Sequence, residues 1–197
     1  RLQGDWSSDV CSSDLPAPTS TVTVPKALPP LLIGDETSIG TGAVIYTGST
    51  VGRQCLIGDL AFVREQVQIG DRVIVGTHVT VENTVSIGAN VKIQTGAYIT
   101  AWTTIEADCF IAPCVVTTND NYMGRTQRRF AERGGALIRR GARIGANVTL
   151  LPNVEVGAEA FVAAGSVVSR PVPAATLVMG SPARPRRVVP EDEWAGQ

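Results

Sequence analysis

Side chains able to do chemistry are few and unevenly placed. The 197-residue chain holds one histidine, His78, and four cysteines, Cys11, Cys55, Cys109 and Cys114, with no CxxC pair. Structural zinc is usually held by closely spaced cysteines and histidines, and small disulfide scaffolds need paired cysteines, so neither a metal centre nor a disulfide framework is expected. What remains is a polar run, Thr118-Asn119-Asp120-Asn121, leading into a basic stretch with Tyr122, Arg125, Arg128, Arg129, Phe130 and Arg133. Amides and a carboxylate can orient a small molecule and take up a proton, and a histidine can act as general base towards a hydroxyl. Whether these groups meet depends on the backbone that carries them.

That backbone has a period of six. In IGDETSIGTGAVIYTGSTVG, from Ile33 to Gly52, an aliphatic residue falls at Ile33, Ile39, Ile45 and Val51. The series runs on without a slip through Ile57, Val63, Ile69, Val75, Val81, Ile87, Ile93, Ile99, Ile105 and Ile111. Four residues after each stands a small or β-branched one, such as Ala43, Cys55, Val67, Val79, Val91 or Cys109. A helix repeats every 3.6 residues and a flat strand every two, so this is neither. Period six with Gly, Asp and Asn between means short strands joined by tight corners. Three hexads close one triangular coil, the aliphatic residue points inward, and each coil pairs with the next at roughly 4.8 Å. The expected fold is all-β.

An eighteen-residue coil makes the sequence a map. Glu82, Thr100 and Thr118 form one column, Asn83, Ala101 and Asn119 the next, and Thr84, Trp102 and Asp120 a third. His78 stacks with Gly96 and Cys114, on a different hexad. After Thr117 the rhythm breaks and restarts at Ile144, Leu150, Val156, Val162 and Val168, which predicts an inserted flap over residues 118–143. Long excursions from a regular repeat are usually functional or disordered, and the aromatic and basic residues here suit a folded flap.

The rest of the chain sets bounds. Hydrophobic residues make up 44% and aromatic ones only 5%, which suits many small, similar layers. A formal charge of -1 gives no basic field for nucleic acid. No apolar run reaches the roughly 18 residues that span a bilayer, and no signal-peptide pattern opens the chain, so a soluble, cytoplasmic protein with no membrane insertion is expected. Residues 1–15, which include GDWSSDVCSSDL, resemble the translation of a sequencing adapter, and 16–32 read as a lead-in to a β-helix domain over 33–189. Pro190 followed by Glu191, Asp192 and Glu193 predicts a short capping helix over 190–197, with Trp194 covering apolar surface.

The repeats Ile-Gly-Asp-Arg-Val-Ile (69–74) and Ile-Gly-Ala-Asn-Val-Lys (87–92) resemble those of the hexapeptide-repeat acyltransferases. That resemblance implies a left-handed parallel β-helix, a homotrimer, and acetyl-CoA as co-substrate without a metal. The single histidine excludes the carbonic anhydrases that share this fold and bind zinc through three histidines. Val91-Lys92-Ile93-Gln94, Thr104-Ile105-Glu106, Phe110-Ile111-Ala112-Pro113 and Thr118-Asn119 together resemble the branch that N-acetylates amino sugars carried on UDP or dTDP. There an asparagine at the position of Asn119 contacts the substrate amine. Asp120 and Asn121 depart from the branch pattern and leave the sugar open.

On this reading Asn119 aims the amine and Asp120 takes its proton, while Glu82, Gln94, Trp102, Glu106, Tyr122 and Arg125 are candidates for binding the nucleotide-sugar or other small-molecule acceptor. A neutral amine attacks a thioester without prior deprotonation, whereas a hydroxyl needs a base. Phe161 to Val168 resembles the stretch along which pantetheine lies, which makes Ala163, Ala164, Gly165 and Ser166, with Ala146, candidates for coenzyme A binding. Gly180-Ser181-Pro182-Ala183-Arg184 resembles a family segment preceding basic residues, so Arg184, Arg186 and Arg187 are candidates for its phosphates. Two other readings stand beside this one: O-acetylation of a sugar, serine or small hydroxyl compound with His78 as base, and a non-catalytic β-helix that serves as scaffold or binding module.

Overall fold

The computed structural model describes residues 28–196. The expectations for residues 1–15, and for most of the lead-in, lie outside them.

Twenty-one two-residue strands, from Leu32–Ile33 to Val167–Val168, wind into a stack of three-sided coils. Every third strand joins the same sheet, giving three parallel sheets of seven, one along each side of the prism, and two longer strands farther on extend one of them to nine. The corners bend through residues in left-handed conformation, among them Gln54, Arg72, Asn90 and Asp108, with φ between 55° and 63°. A turn that sharp cannot be made from β-region backbone alone. The register is eighteen residues per coil: Ile57 pairs with Val75, Val75 with Ile93, and Ile93 with Ile111.

The inward residues are those of the sixfold series. Ile57, Val75, Ile93, Ile99, Ile111, Ile144 and Val162 are essentially without solvent contact, and the small residues four places later, such as Val73, Val91 and Val148, fill the space between them. Burying each such Val or Ile side chain contributes roughly 1.5–3 kcal/mol, so a core this repetitive stabilises every coil alike.

The sheet ladder defines the insertion. Thr104 pairs with Leu137 and Val116 with Thr149, each 33 positions apart where the other full coils take 18, so the excursion adds 33 − 18 = 15 residues. The coil resumes at Ala136 and the strand Leu137–Ile138, so the flap is shorter than the 118–143 expected. Ile138 stands six residues before Ile144 and Ala136 two before Ile138, which is the repeat itself.

The stack closes with a shortened coil, in which Phe161 pairs with Leu177, 16 positions on. Strand Thr176–Met179 then turns back into the antiparallel strand Arg184–Val188. The expected terminal helix is a single 3-10 turn, Glu191–Glu193. Glu193 is drawn to Arg143, at 2.8 Å, and to Arg187, at 3.4 Å, rather than serving a helix dipole. Trp194 is half-buried and donates its indole N–H to the Val189 carbonyl at 3.3 Å. Among the described residues no helix is long and apolar enough to cross a membrane.

Candidate active site

The three edges of the prism differ in chemistry. One carries a polar ladder in which Arg72 donates to Asn90, Asn90 to Asp108, and Arg140 to Asp108. A second carries small residues, Ala146, Ala163, Ala164 and Gly165 among them. The third carries the flap.

At the foot of the flap lies a cleft of about 520 Å³. Its floor is the outward face of one sheet, Tyr98 and Val116, with Thr100 and Thr117 beneath; its walls are Thr118 to Asn121, Met123 of the flap, and Leu151-Pro152 of the next coil. Thr117 occupies an inward position where the series elsewhere has Ile, Val or Leu. Its hydroxyl accepts from the Thr100 backbone N–H at 2.8 Å and lies 2.9 Å from the Thr100 hydroxyl. A buried hydroxyl so tied fixes the backbone at the point where the chain leaves the coil.

Asn119 and Asp120 both line the cleft but differ in state. The Asn119 carbonyl accepts the Gly134 N–H at 3.0 Å, which joins the two ends of the flap. Its side-chain amide has no protein partner among the described residues. Asp120 is fully engaged: its carboxylate accepts from the backbone N–H groups of Tyr122, at 2.7 Å, and Gly124, at 3.1 Å, and lies 3.0 Å from Arg129 Nε. Desolvation pushes its pKa upward, but these N–H groups and the guanidinium outweigh it and hold the carboxyl below the usual range. A carboxylate so stabilised is a poor proton acceptor. Its arrangement is that of a residue that shapes the flap, in place of the proton-accepting role expected for it.

The flap rests on further contacts. The Arg133 guanidinium sits 4.8 Å from the ring centre of Trp102 and 5.1 Å from that of Phe130, so Trp102 serves as a support for the flap and does not line the cleft. Tyr122 donates its hydroxyl to Glu132, and Arg128 lies over the Tyr122 ring. Arg125 is exposed on the flap and does not line the cleft; only its backbone N–H is bonded, to the Tyr122 carbonyl. Where the flap returns, a Cβ at Gly135 would overlap the Thr103 backbone nitrogen, so only glycine fits there.

The remaining candidates are dispersed. Glu82 lies one coil before the cleft and accepts the Tyr98 hydroxyl at 2.8 Å. Glu106 belongs to the polar edge, where hydrogen bonds from Arg139 and from the Arg140 N–H hold its pKa below the ordinary value. Gln94 and His78 stand on the small-residue edge, with His78 exposed at a left-handed corner. Ala146, Ala163, Ala164 and Gly165 follow farther along that same edge. Gly165 is exposed with φ of 70°, and a Cβ built there meets nothing within 4 Å, so a thin ligand can approach the backbone. Ser166 does not join them: it is wholly buried and its hydroxyl accepts the Gly180 N–H at 3.1 Å. Arg184 and Arg187 are exposed near the end of the stack, Arg187 within reach of Glu193. Among the described residues no three His, Cys, Asp or Glu side chains are grouped to hold a metal ion.

Tyr98, Val116, Met123, Leu151 and Pro152 complete the cleft without having been singled out in the sequence. Tyr98 and Val116 stand eighteen apart at outward strand positions, which was the available signal. Leu151 and Pro152 fall into place only once the 15 extra residues are counted.

A solenoid of hexapeptide coils with a flap and cleft on one edge defines the class. The bacterial transferase hexapeptide model matches residues 48–83, 84–119 and 135–170, more than half of the chain, and a model for the hexapeptide repeat of succinyl-transferases matches 30–58 and 66–101. The chain belongs to the bacterial transferase hexapeptide family, and its coil is the left-handed parallel β-helix of that family. Serine acetyltransferase of Buchnera aphidicola is 38% identical over 81 residues, 41% of this chain and 27% of that protein. The first curated relatives are matched over only 12% to 27% of their length. Among solved structures, a UDP-N-acetylglucosamine acyltransferase from Bacteroides fragilis superposes with a TM-score of 0.68 at 18% identity, over 82% of this chain and 71% of that one. An N-acyltransferase from Bacillus cereus, in complex with dTDP and coenzyme A, does so with 0.50 at 16% identity, over 82% and 85%. At these identities the two structures speak for the fold.

Proposed function

We propose that the protein is an acetyl-CoA-dependent N-acetyltransferase acting on the amino group of a UDP- or dTDP-linked amino sugar, working as a homotrimer. The observation that carries this reading is the uncommitted Asn119 amide in a cleft whose lining has no histidine. Its carbonyl oxygen accepts a hydrogen bond from the neutral amine and aims the nitrogen lone pair at the thioester carbon. The C–N bond forms, the C–S bond breaks, and the amine proton passes through water to the departing thiolate. Orientation is the main contribution required of the protein. Acetyl-CoA supplies the activated acyl group, with Ala146, Ala163, Ala164 and Gly165 as the open edge for its arm and Arg184 and Arg187 for its phosphates. Arg125, two residues from Met123 of the cleft wall and exposed, suits the anionic part of the acceptor, since the cleft lining contains no basic residue.

A thiol-release assay with acetyl-CoA against a panel of UDP- and dTDP-amino sugars, with serine alongside, tests the reading. Transfer to an amino sugar is expected, and light scattering is expected to return three times the chain mass. Transfer to serine alone would overturn it in favour of O-acetylation. That second reading is favoured by the likeness to serine acetyltransferases; it needs His78, which stands on another edge and would have to be delivered by a neighbouring subunit.

A further inference from the structure

Tyr98 is the one aromatic residue in the cleft lining, and its hydroxyl is not left to solvent. It sits on the outward face of the sheet between Thr80 and Val116, and its ring leans towards the flap edge, where the hydroxyl donates to Glu82 Oε1 at 2.8 Å. Glu82 is itself held: its other oxygen lies 3.5 Å from Arg64 Nη1, while Arg64 pairs more closely with Glu65, at 2.8 Å. These three charged side chains are 13% to 16% exposed. One guanidinium thus serves two sheltered carboxylates, and the Tyr98 hydroxyl is the short partner of Glu82. A phenol has one proton to give, and here its direction is fixed. The oxygen keeps lone pairs, and donation to a carboxylate strengthens it as an acceptor.

We propose that Tyr98 is a specificity-determining residue of this cleft: with its proton held by Glu82, it offers an oriented oxygen lone pair that reads a hydrogen-bond donor, a hydroxyl or amine N–H, on the acceptor. Glu82 acts through it as a positioning residue. The proposal rests on the acetyltransferase reading and adds to it a second fixed point besides Asn119. Two acceptors of hydrogen bonds at separate points of the cleft, Asn119 Oδ1 and Tyr98 Oη, set the orientation of a sugar ring rather than of one atom. Burial, then the hydrogen bond to Glu82, push the Tyr98 pKa up to about 12, so the group stays a neutral phenol through the working range. A site built around such an acceptor discriminates strongly against ligands without the matching donor.

The test is steady-state kinetics of Tyr98→Phe and Glu82→Gln with UDP-glucosamine and with the dTDP-amino sugar turned over best by wild type. Phenylalanine keeps the ring and its packing. Tyr98→Phe is expected to raise the KM for the amino sugar about tenfold, as loss of one hydrogen bond does, with kcat within about twofold and the KM for acetyl-CoA unchanged. Glu82→Gln should shift the same constant in the same direction by less, because the amide can turn its N–H to the phenol oxygen and send the proton into the cleft. An unchanged amino-sugar KM in Tyr98→Phe, or a change confined to kcat or to acetyl-CoA, overturns the proposal and leaves the acetyltransferase reading intact. A wild-type protein that acylates no amino sugar overturns that reading first, and the role of Tyr98 with it.

Discussion

Arg129 Nε lies 3.0 Å from Asp120 Oδ2 across the inside of the flap, both side chains being almost closed off from solvent. This pair joins the short helix Arg129–Glu132 to the start of the excursion, and the carboxylate organises the intervening turn by accepting the Tyr122 and Gly124 N–H groups. Removing the carboxylate takes a counter-charge from a sheltered guanidinium and leaves two backbone donors unmet, which is costly in a folded segment. The coil beneath does not depend on it, because its ladder continues through Thr104 and Leu137. Asp120→Ala is therefore expected to speed tryptic cleavage at Arg125 and Arg128 roughly tenfold or more while leaving the main thermal transition within a few degrees. Equal proteolysis of variant and wild type would show that the pair does not hold the flap.

The same pair gives the flap a pH dependence. Desolvation raises the Asp120 pKa, but the backbone donors and Arg129 more than reverse this, so the folded value lies below the unfolded one. A depressed carboxylate contributes fully above the unfolded pKa, near about 4, and its contribution is lost as pH falls through the lower folded value. Hydrogen exchange of the Tyr122 and Gly124 amides is expected to show protection, corrected for intrinsic rates, that holds down to about pH 4 and fades below it. Protection that faded well above that range, near neutral pH, would point to a different group.

The coil was legible because its geometry demands one large inward residue in six and a small one four places later; Ile57, Val75 and Ile93 fill the first role, Val73 and Val91 the second. The same phase accounts for Ser166, four places after Val162, which its position assigns to the interior whatever its resemblance suggests. The end of the flap was marked only by Ala136 and Ile138, in phase with Ile144; Gly134 and Gly135 before them carry no side chain to mark a phase, and glycine at 135 is set by contact with Thr103 from an earlier coil. The terminal turn departs from the expected helix because Glu193 answers to Arg143, fifty positions away. The Tyr98–Glu82 contact depends on how far a ring leans along the stack, which columns of residues do not specify.

Thr117 offers a stability test independent of function. Its hydroxyl satisfies the Thr100 N–H inside the coil, 2.8 Å away, and lies 3.4 Å from the Thr103 hydroxyl. Thr117→Val keeps the shape and removes the acceptor, so it should cost about 1–3 kcal/mol in denaturant unfolding, the penalty for a buried donor left unpaired. Thr117→Ser should recover most of it. A Val variant as stable as wild type would mean that water or a rearranged hydroxyl takes the place.

Asn119 and His78 separate the two chemistries. If the free amide of Asn119 aims the amine, Asn119→Ala should lower kcat on the order of 100-fold, the size of effect misorientation alone produces, with the KM for acetyl-CoA little changed. His78→Asn should keep most of the activity, since it stands at an exposed corner of the small-residue edge and an amine needs no base. The reverse pattern, an inactive His78→Asn beside a near-normal Asn119→Ala, would assign the protein to hydroxyl acylation.

The small-residue edge makes its own prediction about acetyl-CoA. Ala164 and Gly165 are exposed, and nothing stands within 4 Å of where a Gly165 Cβ would be, so this stretch of backbone is open to a ligand. Gly165 is a poor place to test it, because its φ of 70° would strain any other residue. Ala164 has no such restriction, and a large side chain there points away from the core formed by Val162 and Val168. Ala164→Tyr is expected to raise the KM for acetyl-CoA at least about tenfold by occupying the path of the pantetheine arm, with the melting temperature unchanged and the KM for the amino sugar within about twofold. Chain-truncated thioesters, which reach less far along the edge, should be affected less. Normal acetyl-CoA kinetics in the Ala164→Tyr variant would remove this edge from the donor site and turn attention to Arg184 and Arg187 at the end of the stack.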